Sequence, residues 1–123
     1  MRSVLVIEDS VEFANFLADA LEELELKPFV VSKPSDANFK LRNQEFKFVL
    51  LDLNLDKGTK GDGIVSAMRS RKDNLNYATP VIVVSGSIDK ERALSLAGTV
   101  QGFLVKPFGV EALKERLLAM NLI

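Results

Sequence analysis

Glu8-Asp9, Asp52, Ser85 and Lys106 each stand directly after a short apolar run, so three carboxylates, one hydroxyl and one ammonium share a local setting. Ionised at their reference pKa values, the three carboxylates carry about −3. Crowded without a counter-charge, they would raise one another's pKa. A divalent cation together with the Lys106 ammonium brings the total near zero. The chain contains no His and no Cys, so a metal must be held by oxygen, which favours Mg2+ or Ca2+. Mg2+ keeps several waters and takes a few protein carboxylates plus phosphate oxygens. A carboxylate can also act as a nucleophile in aspartyl-phosphate chemistry. Metal and Lys106 would neutralise phosphoryl oxygens during an in-line transfer, and the Ser85 hydroxyl could donate to one of them.

Singly, each residue has an ordinary reading. An acidic pair at a strand end is a solvated loop or a helix cap, and an Asp after an apolar run is a turn residue. Ser85-Gly86-Ser87 alone is a turn, and Lys106-Pro107 alone is a punctuated loop. The joint occurrence carries the weight, because these types follow successive apolar runs in one chemical order.

Val4-Leu5-Val6-Ile7, Phe48-Val49-Leu50-Leu51 and Val81-Ile82-Val83-Val84 are continuous and rich in β-branched residues, with Phe29-Val30-Val31 and Phe103-Leu104-Val105 as shorter versions. Such runs predict strands buried on both faces. Between them lie helical spacings. Phe13, Phe16, Leu17, Ala20, Leu21 and Leu24 follow Ser10 as an N-cap, and Pro34 opens a second helix running to Gln44. Ile64, Ala67 and Met68 mark a third, entered through Gly61-Asp62-Gly63. A fourth spans Ile88 to Ala97, and Val110, Leu113, Leu117 and Met120 mark a fifth. Strands alternating with helices predict an α/β fold with a five-stranded parallel sheet, right-handed crossovers and helices on both faces. Ligands of such sheets bind beyond the carboxyl ends of the strands, where all five residues fall. Ser32-Lys33, after the second run, is assigned to an edge away from that crevice.

The 123 residues predict one domain over 1–123. A hydrophobic content of 47% and a charged content of 27% allow an ordinary core. The net charge of −1 gives no basic field for nucleic acid or an anionic membrane. Absence of Cys excludes disulfides and thiolate catalysis. The first apolar run is too short for a signal peptide and none could span a bilayer, which leaves the cytoplasm as the default location.

In Glu8-Asp9, Asp52, Ser85 and Lys106-Pro107-Phe108 the chain resembles a response-regulator receiver domain of two-component signalling, along essentially its whole length. The resemblance implies a flavodoxin-like three-layer sandwich with strand order 2-1-3-4-5 and five helices. It implies Asp52 as phosphoacceptor, supplied by a histidine kinase or a histidine phosphotransfer protein. Glu8 and Asp9 would hold Mg2+, with Mn2+ as an alternative, Asp9 directly and Glu8 through water. The main-chain carbonyl of Asn54 would complete the protein ligands. Ser85 would bond the phosphoryl group and Lys106 would pair with it. A cis peptide is implied before Pro107. Phe103 falls at the family's aromatic switch position, with core packing as its other reading. The implied function is a phosphorylation-dependent switch that changes the surface of the fourth helix, fifth strand and fifth helix for a downstream protein. A phosphorylation-dependent dimer is compatible with it.

Two departures stand out. Asn54 to Gly63 is longer, more polar and richer in Gly than the family's usual loop, with Lys57, Lys60 and Asp62 near the site. The hydroxyl is Ser85 rather than the commoner Thr, beside a small Gly86 that leaves access open. Two other readings share part of this pattern. A Mg-dependent phosphatase with an Asp nucleophile usually carries Asp-x-Asp, whereas Asp52 is followed by Leu53-Asn54. A receiver-like scaffold would never be phosphorylated. The residues together point to a switch, not to an enzyme that turns over an external substrate.

Overall fold

The computed structural model describes residues 1–55 and 59–123, and for Thr59 and Lys60 the backbone only. Strands β1 (Ser3–Ile7), β2 (Lys27–Val31) and β3 (Phe48–Leu51) are followed by a short antiparallel ribbon, β4 (Asn54–Leu55) with β5 (Thr59–Lys60). Strands β6 (Val81–Ser85) and β7 (Gly102–Val105) complete the set. The helices are α1 (Val11–Glu23), α2 (Pro34–Asn43), α3 (Asp62–Arg69), α4 (Lys90–Leu96) and α5 (Val110–Ala119). The parallel sheet runs β2-β1-β3-β6-β7. With the ribbon set aside this is the 2-1-3-4-5 order of a flavodoxin-like fold.

The three inner strands are buried along their apolar runs, and their side chains divide between two cores. Leu5, Ile7, Val49, Leu51, Val81 and Val83 face α2 and α3 residues such as Leu41, Ile64 and Met68. Val4, Val6, Phe48, Leu50, Ile82 and Val84 face Leu17 and Leu21 of α1 and Leu113 and Leu117 of α5. Each fully buried aliphatic side chain is worth about 1.5–3 kcal/mol relative to exposure, so the inner strands anchor the fold. Expected burial on both faces fails at the rims: Val30 in β2 and Val105 in β7 are exposed. Edge strands lack a neighbour on one side.

Local signals account for most helix limits. The Ser10 hydroxyl accepts from the Phe13 N–H at 3.3 Å, capping α1. Pro34 occupies the first turn of α2, where its missing N–H costs nothing. Helix α4 is shorter than the expected Ile88–Ala97. Asp89 caps it by accepting from the Arg92 N–H at 2.7 Å, which leaves Ile88 outside the helix and packed on the core. Among the described residues no helix is long and apolar enough to cross a membrane.

Candidate metal and phosphoryl site

Parallel pairing brings the strand ends into line. Ile7 pairs with Leu51, Leu51 with Val83, and Val83 with Phe103. Beyond that row the Asp52 N–H donates to the Ile7 carbonyl at 2.9 Å, and the Lys106 N–H donates to the Ser85 carbonyl at 2.7 Å. Backbone register, rather than loop conformation, therefore delivers residues 8, 52, 85 and 106 to one edge.

Glu8, Asp9 and Asp52 each present a carboxylate oxygen, all within 4.8 Å of one another. Glu8 and Asp52 are buried, at 2% and 5% exposure. The Lys106 ammonium lies between them, 2.5 Å from Glu8 Oε1 and 3.2 Å from Asp52 Oδ2. It also sits 4.5 Å from the centre of the Phe13 ring, whose negative face attracts a cation. Phe13 in turn meets Phe108 edge-on at 5.4 Å, so an aromatic wall closes this side of the pocket. The Lys106–Pro107 peptide is cis.

Burial raises the Glu8 pKa, opposed by the Lys106 ammonium and by the Ser10 N–H, which donates to Glu8 Oε2 at 3.1 Å. Burial alone would lower the Lys106 pKa, but its contacts with Glu8 and the charge of Asp52 together raise it. The two acids thus hold Lys106 ionised, whereas for Glu8 burial outweighs the ammonium and its carboxyl stays harder to ionise than usual. Asp52 keeps a second contact, its Oδ1 accepting from the Asn54 N–H at 2.9 Å.

The donor set suits a hard divalent cation: three carboxylates gathered together, in a chain without His or Cys. Glu8 Oε1 is buried and, among the described residues, accepts no well-formed hydrogen bond, though the Lys106 ammonium lies against it. A buried carboxylate oxygen with capacity to spare is what a cation or its water requires.

The Ser85 hydroxyl is close but turned aside. It donates to the Ser87 carbonyl at 3.1 Å and accepts from Asn54 Nδ2 at 3.3 Å. A side chain at Gly86 would meet nothing within 4 Å, so the entrance is open there. Gly61 is different. A Cβ would lie 3.0 Å from the Asp52 carbonyl oxygen and 2.9 Å from a Leu51 methyl, so any larger residue here would push on the main chain of Asp52. Phe103 is half-buried and packs against the core on the α2–α3 side of the sheet. Lys57 lies outside the described residues, and of Lys60 only the backbone, paired with Asn54, is described. Asp62 forms an ion pair with Arg92 of α4. Arg92 escaped the sequence reading, since a lone Arg in a polar helix gives no signal of what it reaches.

The family model for the response regulator receiver domain matches residues 4–118. The swarming motility regulation protein RssB of Serratia marcescens is 31% identical over 121 residues, an alignment covering 97% of this chain and 52% of RssB. The KDP operon transcriptional regulatory protein KdpE of Escherichia coli K12 is 30% identical over 118 residues, covering 95% of this chain and 50% of KdpE. The chain thus spans about half the length of these curated relatives. Among solved structures, the receiver domain of sensor histidine kinase PA1611 from Pseudomonas aeruginosa PAO1 superposes with a TM-score of 0.83 at 19% identity, covering 96% of this chain and 95% of that one. That crystal structure has a magnesium ion coordinated in its active site cleft.

Proposed function

The chain belongs to the response regulator receiver domain family, and from that premise we propose that it is a cytoplasmic signalling switch set by phosphorylation of Asp52. The observation that carries this reading is the Lys106 ammonium bridging Glu8 and Asp52 inside a cluster of three carboxylates. Glu8, Asp9, Asp52 and the main-chain carbonyl of Asn54 are the groups to hold Mg2+, or Mn2+ in its place. When bound, the ion supplies positive charge to the phosphoryl oxygens as the donor departs.

The donor is a phosphohistidine of a histidine kinase or phosphotransfer protein. An Asp52 carboxylate oxygen forms the new O–P bond as the N–P bond breaks, and the imidazole leaves with the electron pair. Lys106 then pairs with the phosphoryl oxygens, having already been held at Asp52. Ser85 swings its proton from the Ser87 carbonyl to the phosphoryl group. The movement opens space into which Phe103 turns, altering the face made by α4, β7 and α5. Leu94, Val105 and Leu118 are exposed on those elements, an apolar contribution suited to a downstream protein or a second copy of the chain. Moving a two-state equilibrium from 1:99 to 99:1 takes about 5.5 kcal/mol. A few charge-assisted hydrogen bonds at about 1.5–3 kcal/mol each can supply that.

Incubation with Mg2+ and acetyl phosphate followed by intact mass measurement tests the reading. One added phosphoryl group is expected for the native protein and none for Asp52→Ala. A native protein that stays unmodified would instead be a receiver-like scaffold. Steady turnover of a generic phosphate ester would make it an enzyme.

A further inference from the structure

Arg92 reaches from α4 back over the end of β3. Its guanidinium pairs with Asp62 of α3, donates to the Leu53 carbonyl at 3.2 Å and donates to Asn54 Oδ1 at 3.0 Å. Arg only donates, so the Asn54 carboxamide must turn its oxygen towards Arg92. Its NH2 then faces the opposite way, where Nδ2 donates to Ser85 Oγ. A hydroxyl has one proton, and Ser85 gives it to the Ser87 carbonyl. Four groups are therefore linked in one direction, Arg92 to Asn54 to Ser85 to the loop at Ser87. Through this chain the Ser85 proton is committed to the Ser87 carbonyl and is not offered to Asp52. The Asn54 main chain is tied to the same site, because its N–H donates to Asp52 Oδ1.

We propose that Arg92 is a positioning residue which, acting through the Asn54 carboxamide, latches the Ser85 hydroxyl in its turned-aside state and so joins α4 to the phosphoryl site. The latch itself is a property of the resting molecule, while its effect on switching rests on the reading of Asp52 as phosphoacceptor. Releasing the latch removes about one net hydrogen bond that favours the resting state. A ligand that binds the switched state should gain by that amount.

The test uses Arg92→Met, Asn54→Ala and the double variant, with beryllofluoride and Mg2+ as a phosphoryl analogue. Each single variant should bind beryllofluoride about fivefold more tightly than the native protein, and the double variant no more tightly than either single one. Native affinity in Arg92→Met, or effects that multiply in the double variant, would overturn the proposal. A second measurement needs no phosphoryl chemistry. The two side-chain amide protons of Asn54 should give separate, slowly exchanging resonances in the native protein and move towards solvent-exposed values in Arg92→Met. Unchanged resonances would overturn the latch. Should the native protein bind no beryllofluoride at all, the proposed function fails and the amide resonances alone decide the latch.

Discussion

Asn76 and Glu8 are equally buried, at 2% exposure each, on opposite edges of the same sheet. Asn76 precedes β6 and uses every hydrogen-bonding position of its amide. Oδ1 accepts from the Phe46 N–H and the Thr79 hydroxyl, both at 2.9 Å, while Nδ2 donates to the Leu41 and Gln44 carbonyls at 2.7 and 2.8 Å. Beside it Arg69 donates to the Thr99, Tyr77 and Thr79 carbonyls at 3.1, 2.8 and 2.8 Å. Glu8, by contrast, keeps one carboxylate oxygen that, among the described residues, accepts no well-formed hydrogen bond, with the Lys106 ammonium against it. The Asn76 amide is neutral and saturated, as a polar staple should be. The acid edge is charged and undersupplied, which costs stability and leaves capacity for something to bind.

Breaking the saturated end should produce the largest loss of stability. Asn76→Ala leaves the Phe46 N–H and the Leu41 and Gln44 carbonyls without their partner in a buried place, and should cost about 3 kcal/mol by denaturant unfolding. Phosphoryl uptake per folded molecule should not change. Uptake that fell in step with the lost stability would mean that the two edges are coupled and the contrast is false.

The acid edge was legible in the sequence and the amide edge was not, for a physical reason. Buried parallel strands are continuous apolar runs, so the first polar residue after each marks a strand end, and register then brings Glu8, Asp52, Ser85 and Lys106 together. Ser10 and Pro34 gave helix starts through capping rules that act over three or four residues. Asn76, Arg69 and Arg92 each bind at least one partner 30 or more residues away through side chains of ordinary polar segments. Long-range pairing of that kind leaves no period and no local motif. The β4–β5 ribbon was missed because Asn54–Leu55 and Thr59–Lys60 lie in a polar, Gly-rich stretch with no alternation long enough to read as strand. Exposure of Val30 and Val105 depends on which strands end up at the rims, which only topology determines.

A ligand that uses the spare capacity should stabilise one end alone. Mg2+ at ten times its dissociation constant should raise the unfolding free energy by about 1.4 kcal/mol, and EDTA should reverse the gain. Asp9→Asn should remove most of the increment, whereas Asn76→Ala should keep it in full on a lower baseline. An increment that survives Asp9→Asn, or vanishes with Asn76→Ala, would place the cation elsewhere.

The smallest effect is a slope. Burial holds the Glu8 carboxyl above its ordinary 4.5, against the pull of Lys106 and the Ser10 N–H. In metal-free protein the folded state therefore binds more protons than the unfolded state between 4.5 and the raised folded value. Stability must fall as pH rises across that window. Lys106 does not interfere, because its raised pKa keeps it protonated in both states there, and its contribution is lost only above 10.5. In EDTA, a difference curve of native protein against Glu8→Gln should decline with rising pH through the window and then run flat. Asn76→Ala measured against native protein should be flat throughout, since no titrating group is exchanged. A Glu8→Gln difference that rises instead would mean that Lys106 more than repays the burial, and the acid edge would be as well supplied as the amide edge.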